Sequence, residues 1–156
     1  MGVLILGVGN VDRGDDAAGP LVARWLRGLG LDAREHSGEG LSLMESWTGA
    51  EDVIVIDAVV TGAPPGTISV WDARGAGVVR DAFRCSTHAF GVAEAVDLAR
   101  TLGRLPGTLT IYGIEAQDFQ PGHPASRAVL AAVKELTRRI ACAKLSLCTN
   151  PDSSKT

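Results

Sequence analysis

Short apolar runs alternate with amphipathic segments along this chain of 156 residues, and this alternation constrains the fold more than any other feature. Residues 53–56 form an apolar, β-branched run of the kind found in strands that are buried on both faces of a parallel sheet. Residues 91–102, by contrast, place their apolar side chains at helical spacing. Strands that alternate with helices favour a mostly parallel sheet with helices on both faces. The sequence therefore predicts an α/β fold with ligands outside the carboxyl ends of the strands.

The same patterns predict the remaining elements of one domain. No internal repeat or linker is visible, so we expect a single domain over residues 1–142 and a frayed tail over residues 143–156. The predicted strands are residues 3–6, 33–37, 53–56, 67–71 and 108–114, and the predicted helices are residues 21–29, 41–47, 91–102 and 126–142.

Composition and charge exclude several classes of protein. Hydrophobic residues make up 46% of the chain and charged residues 21%, which is typical of globular domains and not of disordered ones. The net charge of −3 comes from interspersed charges and gives no basic surface for nucleic acid or an anionic membrane. No stretch approaches the roughly 20 apolar residues that span a bilayer, and no signal peptide is visible. We therefore expect a cytoplasmic protein with three reduced cysteines and a small-molecule or protein partner.

The first loop combines glycines with carboxylates. Residues 7–12, Gly-Val-Gly-Asn-Val-Asp, begin like the dinucleotide-binding fingerprint, but Asp12 stands where that fingerprint has its third glycine. Asp15 and Asp16 follow, and three carboxylates would repel a pyrophosphate, so the loop favours a cation. One of the two adjacent aspartates can cap the following helix while the other faces the crevice. The residues alone do not say which aspartate does which.

Two further positions add potential metal ligands. Asp57 follows the apolar run of residues 53–56, so we expect it to end that strand at the same edge of the sheet as the first loop. His88 comes just before the helix predicted at residues 91–102. A neutral imidazole and two carboxylates form a mixed nitrogen and oxygen ligand set that suits nickel, zinc or manganese. These groups converge only if the order of the strands brings the three junctions together.

Three segments of the chain, taken together and in order, carry a resemblance to a known family. They are Gly-Val-Gly-Asn at residues 7–10 with Arg-Gly-Asp-Asp-Ala-Ala-Gly at residues 13–19, Val-Ile-Asp-Ala at residues 55–58, and Ser-Thr-His at residues 86–88. This pattern closely resembles the hydrogenase maturation endopeptidases, the nickel-dependent family that trims the C-terminus of [NiFe]-hydrogenase large subunits. Many members have Glu at the position of Asp16.

The resemblance implies both a fold and a site. The fold is a single-domain three-layer α/β/α sandwich with a mostly parallel five-stranded sheet. The catalytic and metal-contacting residues are Asp16, Asp57 and His88. Nickel would arrive already bound to the large-subunit precursor, whose thiolates would complete the metal shell, and zinc or cadmium would be able to replace it in the isolated protein. We expect a monomer that removes a short C-terminal peptide from that precursor.

A second hypothesis belongs to a different class of protein. The same crevice would suit a non-catalytic checkpoint module that binds a nucleotide or a metal-loaded partner. Among the other polar positions, Glu39 lies between two glycines whose backbone either lines the substrate cleft or forms a flexible turn, and we expect its side chain to be solvated. His36 is given no role, and His123 is expected at the surface.

Overall fold

The computed structural model describes residues 2–75 and 91–145. The strands are β1 (Leu4–Val8), β2 (Asp32–His36), β3 (Asp52–Val59), β4 (Ile68–Asp72) and β5 (Thr108–Glu115), and the helices are α1 (Ala18–Gly28), α2 (Gly40–Ser46), α3 (Val92–Thr101) and α4 (Arg127–Leu145). A 3₁₀ helix (Gly14–Ala17) leads into α1. Within the described residues, the five strands form one sheet in the order β2-β1-β3-β5-β4, in which β4 is antiparallel to β5 and the other pairs are parallel.

Helices cover both faces of the sheet. Side chains that alternate along β3 belong to two separate apolar clusters, because successive residues of a strand point to opposite faces. Ile54 and Ile56 pack with α1 and α4. Val53 and Val55 pack with α2 and α3. The predicted three-layer α/β/α sandwich with a mostly parallel five-stranded sheet is therefore confirmed.

Strands β1 and β3 end two and three residues beyond their predicted limits, and both extensions bear on the site. Strand β1 continues through Gly7, which pairs with Ile56 of β3. Strand β3 continues through Asp57 as far as Val59, because β5 pairs with it along that whole length. The expectation that Asp57 ends its strand is therefore wrong by two residues. Asp57 instead lies one residue beyond the last β1–β3 pair, at a position where β3 is still paired with β5.

The last helix also differs from its predicted limits. It begins at Arg127 and runs to Leu145, three residues beyond the predicted end of the domain at residue 142. Cys142 on this helix is disulfide-bonded, so the expectation of three reduced thiols is wrong at that position. The rest of the predicted tail lies outside the described residues. In the described part of the chain, no helix combines the length and the apolar character that crossing a membrane requires.

Candidate active site

Asp16 lies at the carboxyl edge of the sheet, in the 3₁₀ helix between β1 and α1. Its side chain is 0% exposed, and its Oδ2 accepts a hydrogen bond from the backbone N–H of Asn10 at 3.1 Å. The 3₁₀ helix packs against β3, the strand that carries Asp57. The fold therefore brings the first loop and the third strand together at one edge, which a ligand set shared between them requires.

The glycines of the first loop serve close packing within the protein. A Cβ on Gly7 would lie 2.2 Å from the carbonyl oxygen of Gly19 in α1. Gly9 has φ of +145°, and a Cβ there would lie 2.0 Å from the carbonyl oxygen of Asp16. In the dinucleotide fingerprint, the second glycine leaves room for a pyrophosphate to approach the backbone. Here the backbone of Asp16 occupies that space, which weighs against a nucleotide at this loop.

Asp15 and Asp16 have different surroundings, which decides the alternative that the sequence left open. The buried Asp15 carboxylate accepts hydrogen bonds from the backbone N–H groups of Gln117, Asp118 and Ser126 at 2.7, 3.0 and 2.6 Å. The Ser126 hydroxyl donates a fourth bond at 3.1 Å. Asp15 is thus turned toward the loop between β5 and α4. Asp16 is the aspartate that faces the crevice, although no side-chain cap of the helix comes from either residue.

A cavity of about 300 Å³ opens beside Asp16. Glu35 of β2 forms part of its wall and pairs with Arg24 and Arg27 of α1 at 2.9 and 3.2 Å. The hydrogen bond from Arg24 holds the pKa of Glu35 below its usual value, so this carboxylate is ionised at neutral pH. The cavity is lined by Gly9, Asn10, Val11, Arg13, Asp16, Pro20, Glu35 and Ser37. No local pattern marks Glu35, which reaches the cavity wall because β2 pairs alongside β1.

Asp57 is buried in the sheet and 0% exposed. By strand alternation it lies on the same face as Val55 and Val59, which is the face covered by α2 and α3. Its neighbour in register on β5 is Gly113, and a Cβ on Gly113 would lie 2.7 Å from the ring of Trp71. The indole therefore covers the sheet beside Asp57 and gives this side of the site an apolar wall.

His88, the third predicted ligand, lies outside the described residues, but the helix that follows it has a clear direction. The guanidinium of Arg100, near the end of α3, donates to the carbonyl oxygens of Ala73 and Gly75 at 2.8 and 3.3 Å. Ala73 follows β4, whose end pairs with the beginning of β5. The C-terminus of α3 is thus at the amino edge of the parallel strands. The N-terminus of α3 is at the opposite edge, where Asp16 and Asp57 lie.

Among the described residues, no group of three His, Cys, Asp or Glu side chains lies close enough to hold a metal ion. The two aspartates are therefore the part of the predicted ligand set that the structure places at one edge of the sheet. Two buried carboxylates there can act as oxygen ligands to a cation or as acceptors of a proton from water. Both uses require an opposite charge or a donor to offset the cost of burying them.

The lesser polar positions have structural roles. Glu39 is exposed, as expected, and caps α2 by accepting hydrogen bonds from the N–H groups of Leu41 and Ser42. His36 accepts the N–H of Gly38 at Nδ1. His123 is exposed as expected and contacts Asp118 at 2.7 Å, which lowers the pKa of that carboxyl.

Comparisons with known proteins agree with the fold and the motifs. The family model for HycI, hydrogenase maturation protease, matches residues 38–143. The hydrogenase 2 maturation protease of Escherichia coli strain K12 is 26% identical over 153 residues, covering 86% of this chain and 92% of that protein. The hydrogenase expression/formation protein HupD of Thiocapsa roseopersicina is 29% identical over 125 residues, which cover 75% of this chain but only 57% of HupD.

A solved structure gives the same result in three dimensions. The [NiFe] hydrogenase maturation protease HybD from Thermococcus kodakarensis superposes with a TM-score of 0.77 at 26% identity, covering 92% of this chain and 99% of that chain. The family model alone accounts for more than half of the sequence. From its fold, its first loop and these matches, the chain belongs to the hydrogenase maturation protease family.

Proposed function

We propose that this protein is an endopeptidase that removes a short C-terminal peptide from the nickel-loaded large-subunit precursor of a [NiFe]-hydrogenase. The observation that carries the proposal is the placement of two fully buried aspartates, Asp16 and Asp57, at the carboxyl edge of the sheet. Relatives bear the name of hydrogenase maturation protease, which supports the reaction class.

In this proposal nickel is part of the substrate, and Asp16, Asp57 and His88 recognise it. Carboxylate oxygens and imidazole nitrogen are ligands that nickel accepts. His88 stands three residues before Gly91, which is the N-cap of α3 at the edge occupied by the two aspartates. Binding of the metal by both proteins would hold the scissile bond beside the site, and such positioning is itself a large part of catalysis. One aspartate would then accept a proton from the attacking water.

The second candidate is the non-catalytic checkpoint module, which would bind the same precursor or a nucleotide without cleaving it. The close contact between Gly9 and the backbone of Asp16 disfavours its nucleotide form. Its metal-partner form uses the same residues as the peptidase, so the two hypotheses differ only in whether a peptide is released. The monomeric state and the cytoplasmic location stay predictions.

The test is a mass-spectrometric cleavage assay on nickel-loaded and nickel-free large-subunit precursor from the same genome. We expect wild-type protein to release a C-terminal peptide from the nickel-loaded precursor alone. Replacing a ligand should reduce that rate by more than about 100-fold, so Asp16→Asn, Asp57→Asn and His88→Ala should each fail to cleave. Asp32→Asn is the matched control, because it makes the same chemical change at an exposed carboxylate of β2.

Two results would contradict the proposal. Cleavage of the nickel-free precursor at the wild-type rate would remove nickel from substrate recognition. Stable binding of the nickel-loaded precursor without release of a peptide, by folded protein, would favour the checkpoint module. Circular dichroism and thermal melts of each variant ensure that a lost activity is not a lost fold.

A further inference from the structure

The buried carboxylate of Asp15 has an extensive set of partners that the proposed cleavage reaction does not use directly. Three backbone N–H groups and one hydroxyl donate to it, all from the loop at residues 117–126 between β5 and α4. These donors stand more than 100 residues away in the chain. Asp15 therefore joins the site to a distant part of the fold.

Backbone hydrogen bonds reinforce the same junction. The N–H of Gly14 donates to the carbonyl of His123 at 2.9 Å, and the N–H of Asp15 donates to that of Asp118 at 2.7 Å. In the opposite direction, the N–H of Gly122 donates to the carbonyl of Asp12 at 2.7 Å. The 3₁₀ helix is thus held against this loop from both sides, with the Asp15 carboxylate at the centre.

Asp16 is the next residue of the same 3₁₀ helix, so the direction of the Asp16 side chain depends on how that helix is held in place. A 3₁₀ helix of four residues has little rigidity of its own, because few hydrogen bonds lie within it. The N–H of Asn10 approaches Asp16 from the other side of the crevice. The carboxylate of Asp16 therefore lies between the backbone of Asn10 and a 3₁₀ helix that Asp15 holds in place.

We infer that Asp15 is a positioning residue, whose carboxylate anchors the 3₁₀ helix to the loop at residues 117–126 and so aims Asp16 into the crevice. The inference rests on the proposed function, since it assigns to Asp15 the alignment of a group that would contact the substrate's nickel. Asp15 itself contacts neither the metal nor the scissile bond.

Asp15→Asn tests the anchor with almost no change of shape. A carboxylate only accepts hydrogen bonds, whereas one end of the Asn amide carries two N–H groups. Both Asp15 oxygens accept backbone N–H groups, so either orientation of Asn sets N–H against N–H. Because a misplacement of about 1 Å costs roughly 100-fold in rate, we expect kcat to fall about 10- to 100-fold while KM changes less than about threefold.

Glu115→Gln is the matched control. Glu115 is also buried, and its carboxylate accepts hydrogen bonds from the N–H groups of Thr61 and Gly62 and from the Thr61 hydroxyl. Only one Glu115 oxygen accepts backbone N–H groups, so the NH2 of Gln can face the Thr61 hydroxyl, which is able to accept as well as donate. Glu115→Gln should therefore lower the melting temperature less than Asp15→Asn does and leave kcat within about threefold of wild type. Equal loss of kcat in both variants, or an unchanged kcat in folded Asp15→Asn, would overturn the inference.

A second measurement does not depend on cleavage. The amide ¹H–¹⁵N signal of Asn10 reports on the Asp16 carboxylate that it contacts. We expect this signal to shift in Asp15→Asn and in Asp16→Asn, and to stay in place in Glu115→Gln. An Asn10 signal that moves in Asp16→Asn but not in Asp15→Asn would refute the positioning role, even if no precursor is cleaved.

A milder variant covers the case in which Asp15→Asn does not fold. Ser126→Ala removes the hydroxyl donor to Asp15 and keeps the backbone N–H. It should shift the Asn10 signal and reduce kcat in the same direction by a smaller factor. Failure of wild-type protein to cleave any precursor would count against the proposed function alone, because the Asn10 signal would still decide what Asp15 does.

Discussion

A substitution at Gly19 tests how closely α1 packs against the sheet. It lies in the first turn of α1, and a Cβ there would lie 2.4 Å from the carbonyl oxygen of Val8 and 2.5 Å from that of Ile56. Both neighbours are backbone atoms of paired central strands, so they do not rotate away as a side chain would. Gly19→Ala therefore forces the start of α1 away from β1 and β3.

The magnitude follows from these distances. Relieving the two contacts requires a movement of roughly 0.6–1 Å, because carbon and oxygen atoms are not found closer than about 3 Å without a bond. Inserting a methyl into a packed site costs about 1–3 kcal/mol, and the gain in helix propensity offsets up to about 1 kcal/mol of this. We place the net loss at about 2 kcal/mol, which corresponds to roughly 4–8 °C in melting temperature for a domain of this size.

The assay is urea unfolding followed by circular dichroism at 25 °C, with Gly28→Ala as the matched control. Gly28 ends the same helix, and a Cβ there would meet nothing within 4 Å, so that variant should be neutral or more stable by up to about 1 kcal/mol. Because Asp16 lies three residues before Gly19, cleavage should fall only in Gly19→Ala. A Gly19→Ala protein as stable as wild type would refute this account of the packing.

Two further outcomes are expected. Burial lowers the pKa of His36 below 6.5, against a smaller opposing effect of Glu39. The neutral form of His36 therefore stabilises the fold above about pH 6.5, and this stability is lost as the pH falls below that value. Urea unfolding between about pH 7.5 and 5.5 should show a steeper loss of unfolding free energy in wild type than in His36→Gln. Leu136→Ala should lower the free energy of unfolding by about 2–5 kcal/mol, because Leu136 lies on the buried face of α4. Leu130 lies on the same helix but is 40% exposed, so Leu130→Ala should lower it by less than about 1 kcal/mol. Equal losses would contradict this assignment of the buried and exposed faces of α4.

The alternation of apolar runs and amphipathic segments was sufficient to predict the architecture. Period and residue type report which faces of an element are buried, and those two facts restrict a chain of this length to few arrangements. Each predicted strand and helix in the described residues is present, with ends displaced by a few residues. The ends were missed because pairing with a neighbour, and not local propensity, decides where a strand stops, as β5 does for β3 beyond Asp57.

The site, like the fold, was predictable from the sequence only in part. Local sequence singled out Asp57 and the pair formed by Asp15 and Asp16 as candidates, because carboxylates at strand and loop junctions stand out against apolar runs. It could not choose between Asp15 and Asp16, since the donors that engage Asp15 come from residues 117–126. Glu35 was likewise given no role, because its partners Arg24 and Arg27 become its neighbours only when β2 folds back beside α1.

What the sequence by itself determined is the class of fold and the kinds of group gathered at one edge of the sheet. These follow from periodicity and side-chain chemistry, which are properties of the chain at short range. Tertiary structure alone decided which segment holds the carboxylate of Asp15 and how α1 packs against the sheet at Gly19. Those features depend on hydrogen bonds and backbone contacts between segments up to 111 residues apart, and no local pattern records such contacts.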